Sequence, residues 1–295
     1  MSQKKPILVT GASSGIGRML TDYLAQNGHL VYACARKQND IETLNEIENV
    51  ISFRLDVTNP QEVKQVADRV KTEGRGLYAL INNAGVGESW PIVATEEEML
   101  HRVMNVNTYG PFRITNAVIP FIMESKGRIV NLSSVSGLIT PLYMASYSMS
   151  KFALEAWSNA LSQELEMHGV RVSIIEPGNY ATNITGAAAP LLMERYQQAA
   201  EGMFQKDIEA MMDRISERMS TWTSVPTPEE VVEAIMDALF SENPKQRYLV
   251  ISQQEHELFS FVLRSQITKL GQLFKENTHG VTKHELLGLI NEIID

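Results

Sequence analysis

Short apolar runs alternate with segments of helical periodicity along most of this chain. Several of the apolar runs are nearly continuous, which is typical of strands that are covered on both faces. Strand–helix–strand repetition predicts a parallel sheet with helices on both of its faces. We therefore expect an α/β fold with a doubly wound, seven-stranded parallel sheet. The predicted strands are Ile7–Thr10, Leu30–Ala35, Ile51–Leu55, Tyr78–Asn82, Arg128–Leu132, Val170–Ile175 and Tyr248–Ser252.

Local signals predict where several helices begin and end. Gly28 follows the first helical segment, and glycine commonly ends a helix because it accepts a left-handed backbone. Asn59 followed by Pro60 is typical of a helix start. A long helix after the fifth strand is expected to end near Gly169.

The composition excludes several classes of partner and site. The 295 residues carry a formal net charge of −9, which disfavours binding to the phosphate backbone of nucleic acids or to anionic lipid. Cys34 is the single cysteine, so an internal disulfide and a cysteine metal cluster are excluded. No stretch approaches the ~20 apolar residues that span a bilayer, and the N-terminal apolar run is too short for a signal peptide. We expect a cytoplasmic protein with no integral membrane segment and no metal site.

The first strand ends in a glycine-rich turn that passes into a helix. Gly11 allows a tight turn, and Gly15 and Gly17 let the pyrophosphate of a dinucleotide approach the backbone closely, as in Rossmann-type folds. The start of the helix then offers free N–H groups and a positive dipole end. The spacing differs from the commonest dinucleotide motif and from a Walker loop, and a tight turn without a ligand is the alternative interpretation. The predicted phosphate contacts are Gly11, Ser13, Ser14, Gly15, Ile16 and Gly17.

The end of the second strand predicts which dinucleotide binds. An acidic residue there would bond the ribose 2′-hydroxyl of NAD, whereas a basic residue accommodates the 2′-phosphate of NADP. No acid ends this strand, and Arg36 and Lys37 follow it, so we expect NADP(H) rather than NAD(H). A solvated basic pair is the alternative. Asp56 and Val57 follow the third strand, where Asp56 can accept a hydrogen bond from the adenine amino group.

A tyrosine and a lysine lie one helical turn apart at the start of the long helix. Tyr147 and Lys151 therefore share one face. A free tyrosine has a pKa of about 10, and a neighbouring ammonium lowers it by favouring the phenolate. Such a tyrosine can exchange a proton with a carbonyl oxygen while a cofactor exchanges hydride with the carbon. Ser134, after the fifth strand, can bond the substrate oxygen, and Ser133 and Ser136 are alternatives for that role.

Together these motifs resemble the short-chain dehydrogenase/reductase family over about residues 5–252. The resemblance implies a seven-stranded doubly wound sheet and a tetrad in which Tyr147 is the acid/base and Lys151 lowers its pKa and holds the nicotinamide ribose. It implies that Ser134 orients the carbonyl and that Asn107 positions a water, although the Asn107 side chain can instead bond local backbone. The pieces that match in order and spacing are Thr10–Gly17, Asp56, Asn82, Asn83, Ala84, Gly85, Asn107, Ser134, Tyr147, Lys151, Pro177, Gly178 and Thr182.

The same resemblance implies further cofactor contacts. Residues Asn83, Ala84 and Gly85 are expected to line the adenosine side, and Pro177, Gly178 and Thr182 the nicotinamide side. The implied activity is hydride transfer between NADP(H) and a ketone or secondary alcohol. An NADPH-binding redox sensor without turnover is the alternative function. A lyase or epimerase on the same fold is disfavoured by the glycine spacing.

Two segments lie outside the repeating pattern. In the family, the segment after the sixth strand forms a helical lid, here about residues 183–225 of a catalytic domain spanning 1–252. Its methionines suit either a flexible apolar pocket wall or the packed face of an amphipathic helix. Residues 176–180 resemble the hydroxysteroid, retinol and 3-hydroxybutyrate branches, which implies a largely apolar small-molecule substrate. The second segment, 253–295, is a C-terminal helical extension that either folds back, contacts a second subunit or touches a membrane surface. The family also implies a homo-oligomer, either a dimer or a tetramer.

Overall fold

A seven-stranded parallel sheet in the order β3-β2-β1-β4-β5-β6-β7 organises the fold. The computed structural model describes residues 4–181, 194–196, 203–220, 225–276, 282, 285 and 287–288. The predicted α/β fold with a doubly wound parallel sheet is confirmed. The strands are β1 Pro6–Thr10, β2 Leu30–Ala35, β3 Val50–Arg54, β4 Ala79–Asn82, β5 Arg128–Leu132, β6 Arg171–Pro177 and β7 Arg247–Val250.

Helices connect the strands and alternate with them through most of the fold. A π-helical segment, Asn105–Tyr109, joins the fourth helix to the fifth, and a short 3-10 turn, Val135–Gly137, follows β5. The helices are α1 Gly15–Gln26, α2 Gln38–Asn45, α3 Pro60–Glu73, α4 Glu97–Met104, α5 Gly110–Glu124, α6 Ala145–Glu166, α7 Gln205–Ser220, α8 Glu229–Phe240 and α9 His256–Glu276.

The strand order reverses at β1. Its Ile7 pairs with Val31 of β2 on one side and with Ala79 of β4 on the other. In open α/β sheets, ligands bind beyond the carboxyl ends of the strands where the order reverses. The sheet therefore places the ends of β1 and β4, and the loops that follow them, at the expected ligand crevice.

The core forms two apolar layers, one on each face of the sheet. Ile7 and Val9 of β1 pack with α1, α2 and α8 on one face. Leu8, which points the opposite way, packs with α3, α5 and α6 on the other. Because both faces are covered, the strands read as continuous apolar runs in the sequence.

The local signals place the helix ends correctly. Gly28 and Gly169 both adopt positive φ, +79° and +74°, just beyond α1 and α6. Asn59 caps α3, because its side chain accepts hydrogen bonds from the N–H groups of Gln61 and Glu62. β7 ends two residues before the predicted Ser252. Its partner strand β6 ends at Pro177. The pairing of the two strands ends with the hydrogen bond from Gly178 N to Val250 O.

The chain divides into two compact units, Met1–Ser252 and Gln253–Asp295. In the second unit, α9 carries several exposed apolar side chains, among them Phe261 and Ile267. None of the described helices combines the length and the apolar character needed to cross a bilayer. Of the predicted lid, the structure describes residues 194–196, 203–220 and 225, and the remainder lies outside the described residues.

Candidate active site

Three of the predicted catalytic side chains meet at the carboxyl end of β5. Tyr147 and Lys151 lie in the first two turns of α6 and are buried, with 7% and 4% of their surfaces exposed. The Lys151 Nζ atom lies 5.6 Å from the centroid of the Tyr147 ring. The Ser134 hydroxyl, just after β5, is hydrogen-bonded to the phenol. A phenol, a hydroxyl and an ammonium thus share one enclosed site.

Ser134 is the serine of its loop that the structure joins to the phenol. Its backbone is extended where β5 gives way to the short 3-10 turn, and its Oγ accepts a hydrogen bond from Ser136 N at 3.1 Å. That bond fixes the hydroxyl toward Tyr147. Ser133 is buried with its Oγ unbonded to any described residue. Of the three candidates, Ser134 has the geometry of a substrate-orienting group.

Lys151 is anchored by the strand beneath it. Its Nζ donates to the Leu132 carbonyl at 2.7 Å. Burial lowers the pKa of Lys151 to about 8, and the negative charge of Glu155 opposes that shift. The ammonium is therefore the main form at neutral pH, but it loses its proton within the range in which enzymes are assayed.

Burial governs the protonation of Tyr147. It raises the pKa of the phenol to about 12, while the hydrogen bond from Ser134 opposes the rise. The predicted lowering of this pKa is therefore wrong for the protein alone. The reason is that the phenol is enclosed, whereas the nearby ammonium is bonded to Leu132 rather than to the phenol oxygen. At neutral pH Tyr147 is a neutral phenol, which is the form that can donate a proton.

Asn107 lies in the π-helical segment and connects two neighbouring elements. Its Oδ1 accepts from Val86 N at 2.8 Å, and its Nδ2 donates to Val86 O at 2.9 Å and to Ser150 Oγ at 3.0 Å. The side chain thus bonds backbone after β4 and a hydroxyl on α6. π-helical turns are frequent at functional sites because they leave the regular backbone pattern. That Asn107 positions a water stays a prediction.

The glycine turn after β1 fits a dinucleotide phosphate. Gly11 and Gly15 have positive φ, +66° and +54°. A Cβ on Gly17 would lie 2.3 Å from the Asn83 side chain, so α1 can approach the turn only with glycine there. Ser14 makes no side-chain capping bond, and the first turn of α1 holds no acid. Its N–H groups are thus left to an anion.

Asn83 holds that turn in place. Its Nδ2 donates to Thr10 O at 2.9 Å and to Gly11 O at 3.0 Å. The N–H groups of Asn83 and Ala84 both donate to Thr10 Oγ1 at 3.0 Å. Gly85 follows beside the tetrad, because a Cβ there would lie 3.4 Å from Asn107 Oδ1. The Asn83–Gly85 segment therefore joins the glycine turn to the predicted catalytic side chains.

The ends of β2 and β3 carry three cations and one acid. Arg36 and Lys37 are exposed after β2, and the Arg36 carbonyl accepts from Arg54 Nη1 at 2.8 Å. Burial would raise the pKa of Asp56, but hydrogen bonds from Thr58 and the charges of Arg36 and Arg54 outweigh it and lower that pKa. Arg54 was not among the predicted residues. A basic residue at the end of the strand next to β2 was the signal that could have found it.

An apolar cluster lies beside the loop that follows β4. Trp90, Met99, Ile208 and Met211 are buried together, and Tyr143 and Tyr196 pack against them. Met211 of the predicted lid is therefore a core side chain, whereas Met203 is 92% exposed.

A buried ion-pair group lies on the same loop. Glu88 pairs with Arg102 and, at 3.0 Å, with Arg195 of the lid segment. Sequence reasoning missed Glu88 and Arg195, since no local pattern marks partners 107 residues apart.

The loop after β6 begins at the predicted nicotinamide contacts. Gly178 N donates to Val250 O at 2.7 Å, and Ala181 N donates to Pro226 O at 2.8 Å. Tyr180 is buried and donates from its hydroxyl to Glu230 at 2.5 Å. These bonds tie the loop to β7 and α8. The predicted contact Thr182 lies outside the described residues.

A dinucleotide-type fold with a phenol, a hydroxyl and an ammonium grouped beside it is typical of oxidoreductases that transfer hydride. A family model described as short chain dehydrogenase matches residues 5–190. The chain belongs to the short-chain dehydrogenase/reductase family.

Curated relatives and solved structures agree with that membership. The chain is 35% identical to mouse retinol dehydrogenase 5 over 255 residues, covering 82% of this chain and 79% of the relative. It is 32% identical to the mitochondrial D-beta-hydroxybutyrate dehydrogenase of Bos taurus, covering 83% of this chain and 76% of the relative.

A short-chain dehydrogenase from Streptomyces avermitilis superposes with a TM-score of 0.76 at 27% identity, covering 93% of this chain and 97% of that one. An actinorhodin polyketide ketoreductase with NADPH gives 0.70 at 27% identity, covering 85% and 97%.

Proposed function

We propose that this protein is an NADP(H)-dependent oxidoreductase that interconverts a largely apolar ketone and its secondary alcohol. The observation that carries the proposal is the grouping of Tyr147, Ser134 and Lys151 in one buried site at the end of β5. The glycine turn follows β1, two strands from β5 in the sheet, and also lies at the carboxyl ends of the strands. When bound, the nicotinamide would exchange hydride with the substrate carbon.

The proton moves through Tyr147. Reduction of a carbonyl leaves a negative oxygen that needs a proton, and the neutral phenol supplies it. The Ser134 hydroxyl, held by Ser136 N, orients that oxygen beside the phenol. The ammonium of Lys151 stabilises the phenolate that remains, because opposite charges this close favour the ionised form in a buried site. Asn107 keeps the segment after β4 and α6 in register around them.

The cofactor would be held by residues along the ends of β1 to β6. The turn Gly11–Gly17 would take the pyrophosphate, and Lys151 the nicotinamide ribose. The absence of an acid at the end of β2, together with Arg36, Lys37 and the adjoining Arg54, supports NADP(H) over NAD(H). Adenosine would lie beside Asp56, Val57, Asn83, Ala84 and Gly85, and nicotinamide beside Pro177, Gly178 and Thr182.

The segment that ends β6 supports the proposed class of substrate. Residues 176–180 resemble the branches that act on hydroxysteroids, retinol and 3-hydroxybutyrate. Two of the relatives are named for retinol and for hydroxybutyrate. The cluster of Trp90, Met99, Ile208 and Met211 is buried core, which packs part of the predicted lid against the loop after β4.

The test measures turnover with NADPH and a panel of aliphatic, aromatic and terpenoid ketones. The loss of NADPH absorbance reports the rate. Tyr147→Phe is expected to lose ~10²- to 10⁴-fold in rate, because the ring remains and only the proton donor is removed. Its NADPH affinity, measured by fluorescence titration, is expected to be unchanged. Tyr23→Phe, on the half-exposed Tyr23 of α1, is the matched control and is expected to keep the wild-type rate.

Two results would contradict the proposal. Unaltered turnover in Tyr147→Phe would remove the proton donor from the mechanism. Tight NADPH binding with no turnover across the whole panel would favour the alternative of a redox sensor.

A further inference from the structure

A second charged group is buried one helical turn beyond Lys151. Glu155 follows Lys151 by four residues on α6 and is 6% exposed. Its Oε2 accepts from Arg247 Nη1 of β7 at 2.6 Å. The same nitrogen donates to Glu176 Oε1 of β6, and Arg247 Nη2 donates to Asn159 Oδ1 at 3.0 Å. We refer to Glu155, Glu176 and Arg247 as the acid cluster.

The acid cluster holds more negative than positive charge. Two buried carboxyl groups share one guanidinium, so full ionisation leaves one negative charge uncompensated. Burial and the charge of Glu155 raise the pKa of Glu176 to about 7, against the opposing effect of Arg247. The excess charge is balanced either by a proton on the carboxyl pair or by the nearby Lys151 ammonium.

Tight packing keeps Glu155 next to the active-site loop. A Cβ on Gly137 would lie 2.9 Å from Glu155 Cγ and 2.9 Å from Ser133 Oγ. The Glu155 Oε1 atom is buried without a hydrogen-bond partner among the described residues. Arg247 is bonded to the other oxygen, Oε2, and is shared with Glu176, so the charge of Glu155 is offset only in part. The remaining charge acts on its surroundings through a medium of low polarity.

The groups that face Lys151 and Glu155 come from several elements. Tyr147 lies on the same helix, Glu176 comes from β6 and Arg247 from β7. The loop after β5 and the π-helical segment contribute Ser133, Ser134 and Asn107, which do not titrate in this range. Glu155 is the anion whose charge acts on Lys151, and it opposes the effect of burial there.

We propose that Glu155 is a positioning residue for Lys151: clamped by Arg247 beside Glu176, its carboxylate keeps the buried ammonium charged at neutral pH. The inference rests on the proposed function, because a charged Lys151 matters to the reaction through the Tyr147 phenolate that it stabilises. A purely structural Glu155 would join α6 to β7 through Arg247 and leave the protonation of Lys151 unchanged.

The first test measures Lys151 itself in the protein without cofactor or substrate. Lysine side chains are labelled with ¹³C, and the Lys151 signal is assigned by its loss in Lys151→Met. In the wild type its midpoint is expected at about 8. Glu155→Gln is expected to lower that midpoint by about one pH unit, since a neighbouring opposite charge shifts a pKa by roughly one to three units.

The matched control removes a carboxylate from the far end of the same helix. Glu166→Gln, where Glu166 is exposed and paired with Arg171, is expected to leave the Lys151 midpoint unchanged. Glu155→Asp, which keeps the charge, is expected to restore most of the shift. A Glu155→Gln protein that folds and titrates Lys151 as the wild type does would overturn the inference.

A reciprocal measurement keeps the inference testable even if Glu155→Gln does not fold. Coupling between two sites acts equally in both directions. Glu155 and Glu176 share the guanidinium of Arg247, so the carboxyl pair titrates as a unit and a charge that acts on Glu155 also acts on that unit. In protein labelled at glutamate carboxyl carbons, the signal near pH 7 that disappears in Glu176→Gln reports this unit. Lys151→Met is expected to raise that midpoint, and an unmoved midpoint would refute the coupling.

The pH–rate profile separates this inference from the proposed function. If ketones are reduced, kcat/KM is expected to fall above about pH 8 in the wild type, and about one unit lower in Glu155→Gln. The decline moves to lower pH because the ammonium is lost earlier. If no ketone is reduced, the proposed function fails, while the NMR titrations still decide whether Glu155 sets the charge of Lys151.

Discussion

At the scale of single residues, burial decides chemistry that spacing alone misjudges. Tyr147 and Lys151 were identified from their separation of four residues. For the protein alone, the direction of the Tyr147 pKa does not follow from that spacing, because enclosure of the phenol by the folded chain is not visible in a local pattern. Ser134 was chosen from the sequence, with Ser133 and Ser136 as alternatives, and the fold shows that the Ser134 hydroxyl reaches the phenol.

The cofactor preference is a prediction about one side chain. Arg36→Ala is expected to weaken NADPH binding by ~10- to 100-fold and to leave NADH binding nearly unchanged. The reason is the loss of charge-assisted hydrogen bonds to the 2′-phosphate, each worth about 1.5–3 kcal/mol. Fluorescence titration with both cofactors measures the two affinities.

The control for this prediction is a second exposed arginine. Arg75 lies just before β4, at the amino ends of the strands and away from the predicted cofactor site. Arg75→Ala is expected to alter neither affinity. An Arg36→Ala protein with its full preference for NADPH would remove the basis for choosing NADP(H).

At the scale of elements, local signals predict ends well and irregular segments poorly. Asn59 and Gly28 mark their helices through bonds and dihedral angles that depend on one or two residues. The π-helical segment was not predicted, because it depends on tertiary packing. A Cβ on Gly110, where α5 begins, would lie 2.7 Å from Val57 Cγ2, so this turn approaches the loop after β3 closely.

The π-helical segment should also contribute measurably to stability. Asn107→Leu keeps the volume but leaves the Val86 N–H and C=O without their partner. An unsatisfied group costs about 1–3 kcal/mol when fully buried. Val86 is half-buried, so the loss of both bonds is expected to lower the free energy of unfolding by about 2–4 kcal/mol. Chemical denaturation followed by circular dichroism measures it.

An exposed asparagine on α5 serves as the comparison for that variant. Asn116→Leu is expected to change the free energy of unfolding by less than about 0.5 kcal/mol. Equal stability of the Asn107 and Asn116 variants would mean that the bonds to Val86 contribute little.

At the scale of the whole molecule, alternation of strands and helices was enough to predict the sheet and both covering layers. Partnerships across the fold were not predictable, since Glu155 and Arg247 are 92 residues apart and meet only because β7 lies beside β6. The homo-oligomer, the cytoplasmic location and the role of residues 253–295 stay predictions.

The central claim is that one buried site delivers a hydride and a proton to the two ends of a carbonyl bond. The most direct measurement uses NADPH deuterated at C4 of the dihydronicotinamide, the carbon from which hydride is transferred. Mass spectrometry then analyses the alcohol formed from a ketone substrate. We expect one deuterium on the carbinol carbon in the wild type and almost no labelled alcohol with Tyr147→Phe. Alcohol formed without deuterium, or labelled equally well by Tyr147→Phe, would contradict the account.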